Sequence, residues 1–250
     1  MKKPKVTIIL PNFNSENFIG QTIDSIINQT YKNWDLIIID DNSNIKTKNI
    51  LKKYSKKNKI QIFFLKKNIG AGACRNLGLK KAKSSYLAFI DSDDLWVKKK
   101  LNEQVKFMIK NNFVFTYTNY TTFKKNSSKI NYIHCPNKIS YDGFIKNTSI
   151  GTSTMMIKKN ILKNIKFTNS KVCEDFFFKC QILKKIKYAY CLNKFLTKYQ
   201  IRKNSLQSNR LRSVYWIWRI NKDFNKFNFF KNLISIFFIS FNSLKKYGFR

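Results

Sequence analysis

A chain of 250 residues, 43% hydrophobic and 16% aromatic, is long and apolar enough to bury a full globular core. Its formal charge of +36, from 49 basic and 13 acidic residues, directs it towards anionic partners such as nucleic acid, anionic lipid or phosphorylated substrates. The five cysteines (74, 135, 173, 180 and 191) have no C-x-x-C spacing and an odd count, which excludes a zinc site of that type and a disulfide framework.

In chain order, residues 5–10 predict a first strand stopped by Pro11, and residues 12–15 a turn. Residues 17–28 carry Phe18, Ile19, Ile23, Ile26 and Ile27 at helical spacing, with Ser15 or Asn17 as cap. A second apolar strand at 34–39 runs into Asp40-Asp41-Asn42-Ser43, and 46–57 is a Lys-rich amphipathic helix. A third strand follows at 60–65, then a loop at 68–78 leading into a helix, then a fourth strand at 86–90 that ends in Asp91-Ser92-Asp93-Asp94. This alternation predicts an α/β fold: a Rossmann-like, mostly parallel central sheet with helices on both faces. Beyond it the expected elements are a helix at 101–110, strands at 113–117 and 153–157, a helix at 172–185 and two short strands within 188–199. Residues 120–142 are polar with poor periodicity.

From residue 209 the chain turns aromatic and basic, which divides it into a domain of residues 1–208 and a C-terminal helical extension of 209–250. Trp216, Trp218 and the Phe-rich stretch at 224–241 suit either a helix pair completing the core or peripheral membrane association through 209–250. The apolar stretch at 6–10 is too short for a leader, and no run approaches the ~20 apolar residues of a spanning helix. A cytoplasmic protein, at most peripheral on the inner face of the plasma membrane, is expected. The lone His134 has no Cys or carboxylate at ligand spacing and reads as a loop residue.

In a chain this poor in acids, eight of the 13 fall in four places: Glu16; Asp40 and Asp41; Asp91, Asp93 and Asp94; Glu174 and Asp175. Adjacent carboxylates repel and gain little from packing, so their presence points to metal binding or acid–base chemistry. At Glu174 and Asp175 the amino end of a helix offers a second reason, since acids there meet the helix dipole. If residues 86–90 form a strand, Asp91 and Asp93 follow its carboxyl end, where open α/β sheets hold ligands. Strand alternation would then point both carboxylates onto one hard cation.

Four motifs follow the ends of successive strands: Pro11-Asn12-Phe13-Asn14 with Glu16, Asp40 to Ser43, Asn68-Ile69-Gly70 through Arg75-Asn76, and Asp91 to Asp94. Along one sheet edge they could hold a nucleotide. A carboxylate would accept a base N–H, a backbone turn and an Arg would meet a diphosphate, and the last acids would hold a bridging metal. In order and spacing these motifs resemble those of the family 2 glycosyltransferases, inverting GT-A enzymes that use nucleotide-diphosphate sugars, over roughly residues 5–205.

The resemblance implies a role for each matching residue. Pro11, Asn14 and Glu16 would contact the nucleotide, one of Asp40 and Asp41 would read the base, and Asn68, Gly70 and Ser92 would line the donor side. Arg75 would lie near the diphosphate, Asp91 near the sugar or ribose, and Asp93, with Asp91, on Mn²⁺ or Mg²⁺. Asp175 would be the general base, and Tyr199, Arg202 and Ser205 would stand near the leaving diphosphate. A histidine often found in that late segment is replaced here by Lys203 or Asn204. The implied donor is a UDP-sugar, and the implied acceptor a glycan or lipid-linked glycan of a bacterial surface polysaccharide. Two other readings compete. A nucleotidyltransferase would want a Gly-rich, Lys-containing loop after the first strand, which Pro11 to Asn14 is not. A nucleic-acid-binding module would explain the charge but leave the clustered acids unexplained.

Overall fold

The computed structural model describes residues 3–123, 130–168, 170, 173–202 and 210–247. Its first half is the expected alternation. Strands β1 (Val6–Asn12), β2 (Trp34–Asp40), β3 (Ile60–Phe64) and β4 (Tyr86–Phe89) are linked by helices α1 (Ile19–Ile27), α2 (Ile45–Tyr54) and α3 (Ala71–Lys81). All pair in parallel in the order β3-β2-β1-β4. The inner strands β1, β2 and β4 are buried on both faces because each face has its own helical layer, whereas the edge strand β3 is partly exposed. Ile8, Leu10, Leu36, Ile38 and Ala88 join Ile19, Ile23 and Ile26 of α1 and Leu51 of α2 in one core. Their neighbours Ile9, Ile37, Ile39, Leu87 and Phe89 join Cys74 of α3 in the other.

The second half widens the sheet with mixed pairing. It contains β5 (Leu95–Trp96), α4 (Lys100–Lys110), β6 (Phe115–Phe123), β7 (Asn131–Ile133), β8 (Lys138–Ile139) and the short α5 (Tyr141–Phe144). A 3₁₀ turn at Thr152–Thr154, β9 (Met156–Lys158), α6 (Glu174–Lys185), β10 (Ala189–Gln200), α7 (Arg210–Asp223) and α8 (Phe229–Tyr247) complete it. The sheet continues from β4 through β9, β6 and β10 to β5. β9 is antiparallel to both its neighbours, and β6 and β10 are parallel.

Several elements differ from their sequence reading. Pro11 does not stop β1: the β4 ladder ends at Ile9, so the proline lies beyond that side's last partner, a place where a missing N–H is tolerated. The strand expected at 113–117 runs on to Phe123 through Thr116, Thr118, Asn119 and Thr122, all buried, so polarity concealed it. The two short strands of 188–199 are one strand, interrupted by register shifts between Leu192 and Phe195 and between Phe195 and Thr197. His134 is an exposed loop residue, its ring edge-on to Phe195. All five cysteines are free and buried. Helices α7 and α8 lay Ile217, Ile220 and Ile239 into the same core as α3 and α6. Among the described residues no helix is long and apolar enough to cross a membrane.

Candidate active site

The motifs meet at the carboxyl ends of β1, β2 and β4, beside the amino end of α6 and the last residues of β10. At the first strand ends the acids serve the backbone. Asp40, fully buried, accepts from Asn12 Nδ2 at 2.7 Å and from the Ser43 amide at 3.1 Å. Ser43 Oγ accepts from the Asn14 amide at 3.0 Å, and Asn14 Oδ1 accepts from the Asn44 amide at 2.8 Å. Asn14 itself adopts a left-handed backbone, φ 43°. Glu16 is tied to the same corner: its carboxylate accepts from Thr47 Oγ1 at 2.8 Å and from Asn44 Nδ2, and hydrogen bonds, first from the backbone and then from Thr47, lower its pKa.

Asp41 fixes the next loop. Its two oxygens accept from the Ile69 and Gly70 amides at 2.7 and 2.8 Å, and Asn68 Nδ2 donates to its carbonyl at 3.3 Å. Gly70, with φ 87°, turns the chain into α3 in a conformation that a side chain would strain. Two residues further on, a Cβ on Gly72 would lie 2.4 Å from Thr168 O and 3.1 Å from Glu174 Cβ. That close approach of α3 to the start of α6 is what lets Arg75 reach two acids.

Arg75 is almost entirely buried. Its Nη2 donates to Asp91 Oδ1 at 2.6 Å and its Nη1 to Glu174 Oε1, while the guanidinium stacks 5.4 Å from the Phe167 ring. Burial works against its charge, but Asp91, Glu174 and Asp175 raise its pKa above the ordinary value. Glu174 is pushed up by burial and by Asp175, and held back by Arg75.

The Asp91 to Asp94 segment is a turn, with the Asp94 amide bonded to Asp91 O at 3.1 Å. Strand alternation therefore does not govern where its side chains point. Asp91 faces Arg75, whereas Asp93 Oδ2 lies 2.7 Å from Arg202 Nε. Burial, with Asp91 nearby, raises Asp93 to about 6 against the pull of Arg202. The Ser92 carbonyl accepts from Thr22 Oγ1 at 3.0 Å. Asp94 is fully buried and structural: it accepts from Ser153 Oγ and from the Gln200 amide at 3.0 Å, and burial and its two neighbouring acids raise its pKa well above the usual range. Ser153 Oγ also accepts from the Asp91 amide at 3.0 Å. Arg202 stacks on Phe18 at 5.3 Å. Tyr199 packs near the Tyr120 ring, while Ser205, Lys203 and Asn204 lie outside the described residues.

Glu174 and Asp175 both stand in the first turn of α6, where the helix dipole favours acids. No side-chain cap bond forms at Cys173, the left-handed residue before α6. Instead Asp175 Oδ2 accepts from Thr152 Oγ1 at 2.6 Å and from Lys179 Nζ, one helical turn on, and Lys179 also donates to Thr152 Oγ1 at 3.1 Å. Burial would raise this carboxyl, but the Lys179 ammonium and these hydrogen bonds outweigh it and hold the pKa at about 2. Sequence reasoning did not single out Lys179 and assigned no contacts to Thr152 or Ser153. The i,i+4 spacing of Asp175 and Lys179 on α6 was the available signal.

Among the described residues no three His, Cys, Asp or Glu side chains form a metal cage. The donor set still fits a divalent cation of the Mg²⁺ or Mn²⁺ kind. Asp91 and Asp93 offer hard carboxylate oxygens, and such ions bind through one or two carboxylates plus substrate phosphates. A concavity of about 740 Å³ lined by Lys83, Tyr86, Lys158 and Lys163 lies at the amino end of β4, away from this network.

The fold is of the GT-A type, and direct comparison gives the family. The profile of glycosyl transferase family 2 matches residues 7–179, and the chain belongs to that family. It is 33% identical over 246 residues, 98% of each chain, to TuaG of Bacillus subtilis, which carries the name teichuronic acid biosynthesis glycosyltransferase. It is also 33% identical, over 88% of this chain and 86% of the other, to an Escherichia coli protein, WfgD. That protein's name is UDP-Glc:alpha-D-GlcNAc-diphosphoundecaprenol beta-1,3-glucosyltransferase. Among solved structures, residues 1–349 of Staphylococcus aureus TarS with UDP-GlcNAc superpose with a TM-score of 0.71 at 22% identity, covering 82% of this chain and 61% of that one. The Pyrobaculum calidifontis mannosyltransferase PcManGT, bound to GDP-Man and Mn²⁺, gives 0.70 at 15% identity, over 94% of this chain and 69% of that one. At these identities the two structures speak for the fold.

Proposed function

We propose that this chain moves a sugar from a UDP-sugar to a hydroxyl of a lipid-linked glycan, with inversion at the anomeric carbon. Residues 1–208 carry the transfer and residues 209–250 form an extension. The observation that carries the reading is the convergence of two arginines and three carboxylates at the sheet's carboxyl edge: Arg202 on Asp93, Arg75 on Asp91, and Asp175 beside them through Thr152 and Ser153. The UDP-sugar and the undecaprenol-linked acceptor come from the name of WfgD, and a UDP-sugar was bound by TarS.

The loop from Pro11 to Glu16, with Asp40, Asp41, Asn68 and Gly70, shapes the nucleotide end. Arg75 and Arg202 place positive charge where a diphosphate would lie, and Ser92 sits between the acids of that turn. When bound at Asp93 and Asp91, a divalent cation supplies further charge neutralisation for the leaving diphosphate. As the acceptor oxygen bonds to the anomeric carbon, the bond from that carbon to the diphosphate breaks, UDP leaves with the electron pair, and the acceptor proton passes to Asp175. Both of this residue's partners lie on Oδ2, which leaves Oδ1 for the proton. A base at about 2 is always ionised at neutral pH but weak. It suits a proton that becomes acidic only as the new C–O bond forms.

Incubating the full chain with UDP-Glc, UDP-GlcNAc, UDP-Gal and GDP-Man, with and without Mn²⁺ and with a GlcNAc-diphosphate lipid, tests this. UDP release that the lipid acceptor stimulates is the expected result. Release of pyrophosphate would indicate a nucleotidyltransferase instead, and no turnover of any donor would overturn the reading.

A further inference from the structure

Helix α8 turns most of its large apolar side chains outward. Its 19 residues span about 28 Å at 1.5 Å per residue. The side turned to the protein carries Asn232, Ser235 and Asn242, each hydrogen bonded, together with the buried Ile239. Asn221 Nδ2 donates to Asn232 Oδ1 and to Ser235 Oγ at 3.1 Å each. Asn232 Nδ2 donates to Trp218 O, Ser235 Oγ to Ile145 O at 2.6 Å, and Asn242 Nδ2 to Lys146 O. The opposite side presents Phe230, Leu233, Ile234, Phe237 and Phe241 to the outside, with exposures from 45% to 75%. A helix on the surface of a water-soluble protein distributes these residue types the other way round. Large exposed apolar patches mark a surface that meets something else.

Charge identifies what it meets. Residues 210–247 contain eight Lys and Arg and one acid, Asp223, which is already paired with Arg219. Lys222, Lys226, Lys231 and Lys245 are exposed. A second copy could also cover an apolar face, but at +36 per chain it would bring two strongly like-charged surfaces together, whereas an anionic lipid surface neutralises them.

We infer that the outer face of α8 lies in the headgroup–acyl boundary of an anionic bilayer, with the helix parallel to the membrane plane and its lysines among the lipid phosphates. This inference stands whatever sugar the enzyme transfers.

Flotation of the full chain with vesicles of phosphatidylcholine and phosphatidylglycerol (7:3), or of phosphatidylcholine alone, tests it. Binding should favour the anionic vesicles and weaken in 1 M salt. The double variant Phe237→Gln, Phe241→Gln should keep the wild-type melting temperature, because both rings are exposed, and bind ~100-fold more weakly, at about tenfold per ring withdrawn from lipid. An independent reading uses Ile234→Cys labelled with an environment-sensitive fluorophore, which is selective because the five natural cysteines are buried. Its emission should shift to the blue on anionic vesicles. A wild-type chain that does not float, a double variant that floats equally well, or a label insensitive to vesicles overturns the inference. So does a wild-type dimer that the double variant dissociates, which would assign the face to a second copy.

Discussion

Lys179→Met removes the ammonium that sets the basicity of Asp175 while keeping a side chain of similar length. Asp175 lies at about 2 against an ordinary 3.8, so Lys179 and Thr152 outweigh burial by on the order of 2 kcal/mol. Without the ammonium, burial, the largest influence on this carboxyl, meets less opposition, and its pKa should climb from about 2 past the ordinary value. Glu174, Arg75, Cys173 and Thr152 also face this carboxyl and remain in place. Donor turnover measured from pH 4.5 to 8.5 should show no acid limb from Asp175 in the wild type. In the variant, an acid limb should enter the range and kcat should rise to a plateau towards higher pH. Lys179→Arg should keep the wild-type profile.

Stability must follow the same sign. In the wild type the depressed pKa contributes stability that is present above pH ~3.8 and is lost as pH falls through about 2. In the variant the raised pKa penalises the ionised form, so the difference in melting temperature should widen as pH rises from 3 to 6. Stranding a mostly buried carboxylate costs ~3–5 kcal/mol, on the order of 10 °C in a chain of this size. If the folded variant has a pH–rate profile superimposable on the wild type, either Asp175 does not take the proton or Lys179 does not govern it, and the reasoning fails.

Other outcomes follow from the same geometry. Asp175→Asn should lower transfer by ~10²-fold or more while UDP affinity holds. Its melting temperature should also fall, because the exchange strands the buried Lys179 rather than exchanging one helix cap for another; transfer at wild-type rates would remove Asp175 from the chemistry. Calorimetry should find UDP bound more tightly in Mn²⁺ than in EDTA, and Asp93→Ala should abolish that difference; an unchanged difference would place the cation elsewhere. Gly72→Ala should cost about 1–3 kcal/mol, since its Cβ meets Thr168 O at 2.4 Å, and thermal unfolding at wild-type temperature would contradict that packing.

The first half of the fold was legible because β1 to β4 are short apolar runs, three of them buried on both faces, separated by helices. The second half was not. β6 is built from Thr, Asn and Tyr side chains that read as polar yet are buried, and β10 changes register twice within twelve residues. The acidic positions of the site could be found because acids are scarce in the chain. Their geometry could not: the period-2 argument for Asp91 and Asp93 fails where the backbone turns at Asp91, and each acid meets a different arginine. The aromatic, basic C-terminus was visible as composition. Which side of α8 its Asn and Ser residues would occupy depends on carbonyls at Ile145, Lys146 and Trp218, far away in sequence or in another helix.

Because one guanidinium serves both Asp91 and Glu174, the donor side of the cleft and the start of α6 share a single hinge pin. Loading on either side is felt on the other: free energies measured for Asp91→Asn and Glu174→Gln should fail to add, with a coupling of roughly 0.5–3 kcal/mol. The cleft is therefore modular only around this joint. Any change on either flank that moves Arg75 should retune both halves at once.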